Sequence, residues 1–328
     1  MHAIIPVAGF GTRLRPHTFT LPKVLLNVAG KPILAHILER IIESGVTSAT
    51  IVVGYLGEAI RDFVTSHYPN LPTRFIEQTE VLGLGHAIWM AREDIPSKPD
   101  ETLFIVLGDT IFDADLKSVF SGKTSALGVY HVDDPRRFGV VESEGGVATK
   151  LVEKPEHPKS NWMIAGLYYF KNPPLLRAAL DELIESDKRT KNEYQLTDAL
   201  QLMIDRGEKF ATFELSGWYD CGKPETLLST NRAMLDKKSQ SRSLDRTVIR
   251  EPVFIADTAE IEDAVIGPYA SIGARTKIKN AIIRDSIVGD ETEVDSAVLS
   301  ESIVGNNTIV RGTFREINIG DYSEVNLG

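Results

Sequence analysis

Short apolar runs of strand length alternate with stretches of helical periodicity from the start of the chain. Residues 3–8 read as a buried strand, 33–44 as a helix, 48–53 as a second strand and 57–66 as a second helix, the order β-α-β-α. Residues 73–77 continue as a strand, 83–91 as a helix, and 103–107 as a buried strand that ends in Gly108-Asp109. That order predicts an α/β fold, a doubly wound and mostly parallel, Rossmann-like sheet with helices on both faces. Ligands of such sheets bind beyond the carboxyl ends of the strands, where Gly9 and Asp109 both fall. Further strands are expected at 125–132, 139–142, 164–170 and 209–214, and further helices at 175–186, 196–206 and 223–235.

The pattern changes after residue 235. A polar stretch at 236–246 reads as a linker. From 247 to 328 the period becomes short, with aliphatic residues recurring every five or six positions from Ile255, Ile261 and Ile266 through to Val310. Gly267, Gly273, Gly289 and Gly305 each directly follow one of them. An aliphatic residue in phase with small or turn residues between is the pattern of a parallel β-solenoid, and it resembles the left-handed hexapeptide β-helix. The expected division is therefore 1–235, a linker at 236–246, and a β-helix at 247–328.

Composition narrows the class. The chain has 328 residues, 25% of them charged, enough for two domains with cores of their own. No apolar run approaches the roughly 20 residues needed to cross a bilayer, and the first residues show no basic leader or small-residue cleavage site. A soluble, cytoplasmic protein with no membrane partner is expected. Cys221 is the single cysteine, which rules out an intrachain disulfide or a Cys-rich zinc site and fits a reducing compartment. The net charge of −10 argues against nucleic acid as a partner. A phosphate-bearing ligand would need positive charge supplied locally.

Such charge stands where the first strand ends. Gly9-Phe10-Gly11-Thr12-Arg13-Leu14-Arg15-Pro16 follows it, and Pro22-Lys23 comes shortly after. Two glycines let backbone amides approach an anion, while two arginines and a lysine match a polyphosphate. A Walker lysine would follow the second glycine directly, and a dinucleotide loop needs a third glycine, so neither of those motifs applies. The plain alternative is a glycine-rich turn with solvated basic residues. Taken whole, G-x-G-T-R-L-x-P-x-T followed by P-K resembles the signature of the sugar-1-phosphate nucleotidylyltransferases, the sugar-nucleotide pyrophosphorylases, and within them the enzymes that use glucose 1-phosphate with dTTP or UTP.

The resemblance implies a set of site residues and a magnesium cofactor. Asp109, in Leu-Gly-Asp at a strand end, and Asp220, in Trp218-Tyr219-Asp220-Cys221-Gly222, match the family's two metal carboxylates. Ala8, Gly9, Gly11, Thr12 and Arg13 would hold the polyphosphate, with Arg13 and Lys23 on the reacting phosphates. In Val152-Glu153-Lys154-Pro155, Lys154 would hold the sugar phosphate and Glu153 the sugar hydroxyls, beside the backbones of Gly139 and Gly166. Gln78 and Gly83 would read a pyrimidine base. Asn192 to Asp198 matches an E-x-x-x-T-D stretch that opens a helix, and the segments 125–132 to 209–214 complete an insertion typical of the family.

His86 stands in Gly83-Leu84-Gly85-His86-Ala87, where short thymidylyltransferases commonly carry G-L-A-Q-A, so dTTP and UTP both stay open. A histidine near a helix start is more often packed or capping than an acid or base, and this transfer requires neither. The hexose stays open too. Two other readings compete: a second, acyltransferase activity in the β-helix, and a catalytically weak sugar-phosphate-binding regulatory subunit. All seven histidines lie at or before His157, which leaves the β-helix without the usual acyltransferase base. The five catalytic candidates, Arg13, Lys23, Asp109, Lys154 and Asp220, are all present, which speaks against a silent subunit. A homo-oligomer assembled through the β-helix is expected.

Overall fold

The computed structural model describes residues 1–98, 100–239 and 243–312. The chain forms two compact units: Met1–Leu26 with Lys31–Leu227, and Asn27–Gly30 with the chain from Leu228 onward.

The first unit is built on a nine-stranded sheet. Its strand order is Thr73–Glu77, Ser48–Val53, His2–Pro6, Leu103–Val106, Trp162–Phe170, Ser125–His131, Phe210–Glu214, Val147–Glu153 and Gly139–Glu144. The first four are parallel, and seven of the nine run in one direction, with Trp162–Phe170 and Val147–Glu153 against them. Central strands read as unbroken apolar runs because both faces are covered: Ala3, Ile4 and Ile5 are fully buried, as are Leu103, Phe104 and Ile105. Helix Pro173–Glu185 shows the complementary logic. Leu176, Ala179, Leu180 and Leu183 recur at i, i+3, i+4 and i+7 and are all fully buried in the core that helices Leu84–Met90 and Leu196–Asp205 also share. Each such leucine contributes about 1.5–3 kcal/mol by leaving water.

This topology brings four strand ends to one edge. The chain leaves His2–Pro6, Ser48–Val53, Thr73–Glu77 and Leu103–Val106 at Val7, Gly54, Gln78 and Leu107, and the backbone amides of Val7 and Gln78 bond to Val52 and Val53 at distances of 2.8 Å. The hairpin of Gly139–Glu144 and Val147–Glu153 overhangs this edge, since Val140 pairs with Met163 while Leu107 bonds to Gly166 further along the same strand.

The second unit stacks parallel strands in three four-stranded sheets, the β-helix expected of the repeat. Successive coils advance by 17 or 16 residues, as in Val248↔Val265, Val265↔Ile282 and Ile282↔Val298. Its core is the in-phase aliphatic set, including Ile255, Ile266, Ile272, Ile278, Ile283, Val288 and Val294. The end of helix Pro224–Lys237 packs here: Asn231 takes hydrogen bonds from the amide of Ala29 and the hydroxyl of Ser271 and donates to the carbonyl of Tyr269. Residues 313–328, which the repeat reading included, lie outside the described residues.

Several elements were not anticipated, and three of the strands among them bear on the site. Strand Val147–Glu153 carries a register shift between Ala148 and Lys150, so its apolar positions fall out of a period of two. Thr110–Asp113 and Gly217–Asp220 form a separate two-stranded sheet whose partners lie about a hundred residues apart in sequence, a pairing that no local pattern announces.

Candidate active site

The loop after His2–Pro6 turns at Gly11, whose φ of 61° is left-handed and opens the short helical turn Thr12–Leu14. Leu14 is fully buried and pins the turn, while Arg13 is exposed. The Thr18 hydroxyl donates to the carbonyl of Gly11, and a Cβ at Gly11 would stand 3.0 Å from Lys23 Cβ. The loop therefore folds back over Lys23.

Lys23 is almost fully buried and donates to Asp109 Oδ2 at 2.9 Å. Gly108 makes this possible. Its amide bonds to the carbonyl of Pro6, and any Cβ there would fall 2.2 Å from Val7 Cγ1, so only glycine lets the chain before Asp109 lie against the loop strand. Burial pushes the Asp109 carboxyl up, but the Lys23 ammonium and hydrogen bond, with Thr110 and then Arg13, outweigh it and hold the group below the ordinary carboxylate range.

The two-stranded sheet supplies the second carboxylate. Asp220 pairs with Thr110, and the amide of Cys221 bonds to the carbonyl of Asp109, so the two aspartates sit at adjacent positions of one small sheet. Gly222 leaves room for their cationic neighbour: a Cβ on it would meet Asp220 Oδ1 at 2.8 Å and Arg13 Nη2 at 3.0 Å. Arg13, Lys23, Asp109 and Asp220 thus converge from three distant stretches of sequence. Two carboxylates beside a basic loop are the hard-oxygen donors that suit magnesium, which leaves further positions to phosphate and water.

A second cluster lies on the overhanging hairpin. Glu153 pairs with Gly139 across the hairpin and accepts a 2.7 Å bond from Thr197. A Cβ on Gly139 would stand 3.0 Å from both Glu153 Oε2 and Thr197 Oγ1, so the glycine leaves room for the bond between them. Lys154 stands 3.6 Å from Glu153 Oε1 and faces a cleft of about 520 Å³ shared with Arg136, Arg137 and Lys191. Those three cations were not foreseen, although Arg136-Arg137 immediately precede Phe138-Gly139 in sequence. Gly166, at φ 82°, bonds through its carbonyl to Leu107 and sits at the register shift in its strand.

Tyr168 is buried in the strand that pairs with Leu103–Val106. Burial raises its phenol pKa, and the charges of Glu153 and then Asp109 raise it further. Trp218, two residues before Asp220, meets Phe138 edge-on at 5.6 Å and stacks near Tyr130 at 6.1 Å. The aromatic wall so formed runs from the neighbourhood of Asp220 towards the Gly139 hairpin.

On the opposite flank, Gln78 is buried with its Nε2 3.0 Å from His86 Nδ1. Gly83, at φ 112°, would place a Cβ 2.7 Å from the carbonyl of Tyr194, so it answers to close packing against the Glu193–Tyr194 backbone. Ala8 is buried and lies against Gly54, one strand removed from Gln78.

A parallel sheet edge carrying a basic glycine loop, two adjacent aspartates and a lysine–glutamate pair defines a nucleotidyl-transferring enzyme. The chain belongs to the nucleotidyl transferase family, whose profile matches residues 2–237. It is 37% identical over 266 residues to the Bifunctional protein GlmU of Methanocaldococcus jannaschii, covering 79% of this chain but only 61% of that longer protein. It is 33% identical to the UTP–glucose-1-phosphate uridylyltransferase AglF of Haloferax volcanii, covering 74% of this chain and 99% of the relative. A glucose-1-phosphate thymidylyltransferase of Streptomyces antibioticus is 31% identical, with 88% and 87% covered. Among solved structures, a UDP-glucose pyrophosphorylase complexed with UDP-glucose superimposes with a TM-score of 0.63 at 26% identity, covering 72% of this chain and 99% of that one. No helix among the described residues is long and apolar enough to cross a membrane.

Proposed function

We propose that this enzyme transfers a nucleotidyl group from UTP or dTTP to a hexose 1-phosphate, glucose 1-phosphate by default, with magnesium, releasing pyrophosphate. The observation that carries the reading is the convergence of Arg13, Lys23, Asp109 and Asp220 at one corner, with the Glu153–Lys154 pair on the overhanging hairpin. Relatives named as uridylyl- and thymidylyltransferases support the substrate class.

Asp109 and Asp220 would hold the magnesium ion, which neutralises phosphate charge when bound. Lys154 grips the phosphate of the sugar, and Glu153, fixed by Thr197, accepts from its hydroxyls. The sugar phosphate oxygen attacks the α-phosphorus in line with the departing pyrophosphate, so the protein needs no nucleophile of its own. Arg13 and Lys23 face the oxygens on which charge grows, and a guanidinium fork matches them bidentately. The aromatic wall of Phe138 and Trp218 keeps water from competing with the sugar phosphate.

The enzyme would do this work in the cytoplasm, with the β-helix serving assembly. Val248, Val265, Ile282 and Val298 stand in register along one outward face, with Val248 and Val298 more than half exposed. An apolar ladder of that kind suits contact with another copy of the chain.

The test is pyrophosphate release on mixing each of four nucleoside triphosphates and magnesium with glucose, mannose, galactose or N-acetylglucosamine 1-phosphate. Release with UTP or dTTP and glucose 1-phosphate is expected. Far better use of a purine triphosphate would overturn the base assignment, and no release with any pair would overturn the activity.

A further inference from the structure

His86 lies outside the phosphate and sugar clusters, yet it holds the residue that faces the base. It sits in the first turn of helix Leu84–Met90, with its ring 5.9 Å from Trp89 at 26° and 6.3 Å from Tyr194 at 29°. Those neighbours keep the imidazole in one plane. Arg189 caps the Tyr194 ring at 4.5 Å, and Asp181 takes the indole N–H of Trp89, so the stack is itself anchored.

Gln78 Nε2 lies 3.0 Å from Nδ1 of that imidazole. An amide nitrogen can only donate, so the ring nitrogen facing it accepts. The single proton of the neutral ring then sits on Nε2, and the amide turns its NH₂ group towards His86.

We infer that His86 is a positioning residue for base selection, which fixes the Gln78 amide in one of its two orientations. This rests on the reading that Gln78 faces the base. With one N–H given to His86, Gln78 presents its second N–H and its carbonyl oxygen as an ordered donor–acceptor pair. Uracil and thymine offer the complement, a carbonyl oxygen beside N3–H. Cytosine offers the reverse order, an amino group beside an unprotonated N3, and would require the amide turned by half a rotation. A Gln side chain alone reads either order, because its two ends are nearly the same shape. The histidine removes that ambiguity.

The experiment compares UTP, dTTP and CTP in steady-state kinetics for the wild type and three variants. His86→Phe keeps an aromatic ring in the stack and removes the acceptor; His86→Asn keeps an acceptor where Nδ1 stands; Gln78→Ala removes the reader. With His86→Phe, KM for UTP should rise about tenfold and selectivity for UTP over CTP should fall about tenfold, with the larger part in KM rather than kcat. His86→Asn should restore most of the selectivity. If Gln78→Ala abolishes selectivity while His86→Phe retains it, the positioning role is overturned and the Gln78 reading survives. If Gln78→Ala retains wild-type selectivity, the base reading falls and takes this inference with it. A measurement on the intact protein guards against misfolded variants: ¹⁵N shifts of His86 should show an unprotonated Nδ1, and a protonated Nδ1 at pH 7.5 would overturn the assignment.

Discussion

The β-helix and the transfer site solve opposite problems. In the β-helix every coil repeats its neighbour, and each buried aliphatic residue is supported by equivalents 16 or 17 residues away. At the transfer site nothing repeats. Arg13, Lys23, Asp109 and Asp220 come from three stretches of chain, and each supplies a charge that no other residue duplicates. Damage in the first region should therefore be local and graded, and damage in the second total for chemistry with little cost to the fold.

The strongest way to break the comparison is to neutralise a carboxylate. Asp220→Asn and Asp109→Asn should each cut turnover on the order of 10²-fold or more while the protein still folds, with the larger loss of stability for Asp109→Asn, whose carboxylate pairs the almost fully buried Lys23 ammonium. Turnover within a few-fold of wild type at saturating magnesium would remove them from the metal site.

A finer contrast separates the two cations inside the transfer unit. Lys154→Ala should raise KM for the sugar 1-phosphate by roughly 10- to 100-fold, since a charged hydrogen bond held through the whole reaction is uniform binding. Arg13→Ala should act mainly on kcat, because its charge is met by pyrophosphate oxygens that become more negative as the bond breaks. Steady-state kinetics showing the reverse split would exchange their roles.

In the β-helix, Ile283→Ala deletes a fully buried side chain and should cost about 2–5 kcal/mol in urea unfolding of that unit while kcat stays within twofold of wild type. Loss of activity in proportion to stability would show that the units are not independent. On its outer face Val298→Glu, at a residue 63% exposed, should cost little stability yet lower the mass seen by light scattering if the apolar ladder joins copies of the chain. An unchanged mass would end that assembly role for the ladder.

The smallest effect is one of pH. Burial lowers the His86 imidazole, Glu80 pulls it upward through its charge and backbone, and Arg189 pushes it down again, with the balance below the ordinary histidine value. Its neutral state is thus favoured by folding: the associated stability is present above the unfolded pKa and is lost as pH falls through the lower folded one. KM for UTP should stay flat from pH 8 to the ordinary imidazole range and rise only below it, where Nδ1 becomes protonated and repels the Gln78 N–H. A rise already complete by pH 7 would contradict a lowered value.

Much of this was legible before any coordinates. The strand at 48–53 has the bounds that its apolar run marks, because a strand buried along nearly its whole length carries few polar residues; the edge strand at 73–77 also has its expected bounds although it exposes Arg74 and Glu77. Helix Leu196–Asp205 and the in-phase aliphatics from Ile255 to Val310 were equally visible, since each follows a period that local geometry sets. Strand Val147–Glu153 was hidden by its register shift. His86 was visible as a residue but not as a partner, because its role depends on a glutamine eight positions earlier in a different element.

The sequence by itself determined most of the elements, the order that makes a parallel sheet, and the basic glycine loop, all of which depend on neighbours within a few residues. Only the tertiary structure decided that Lys23 meets Asp109 across 86 positions, that Thr110 pairs with Asp220, and that Thr197 holds Glu153. The physical reason is range. Periodicity and turn chemistry act along the backbone and leave their mark in local spacing, whereas a charge or a hydrogen bond between strand ends acts through space, and its partner is fixed only once the sheet has closed around both.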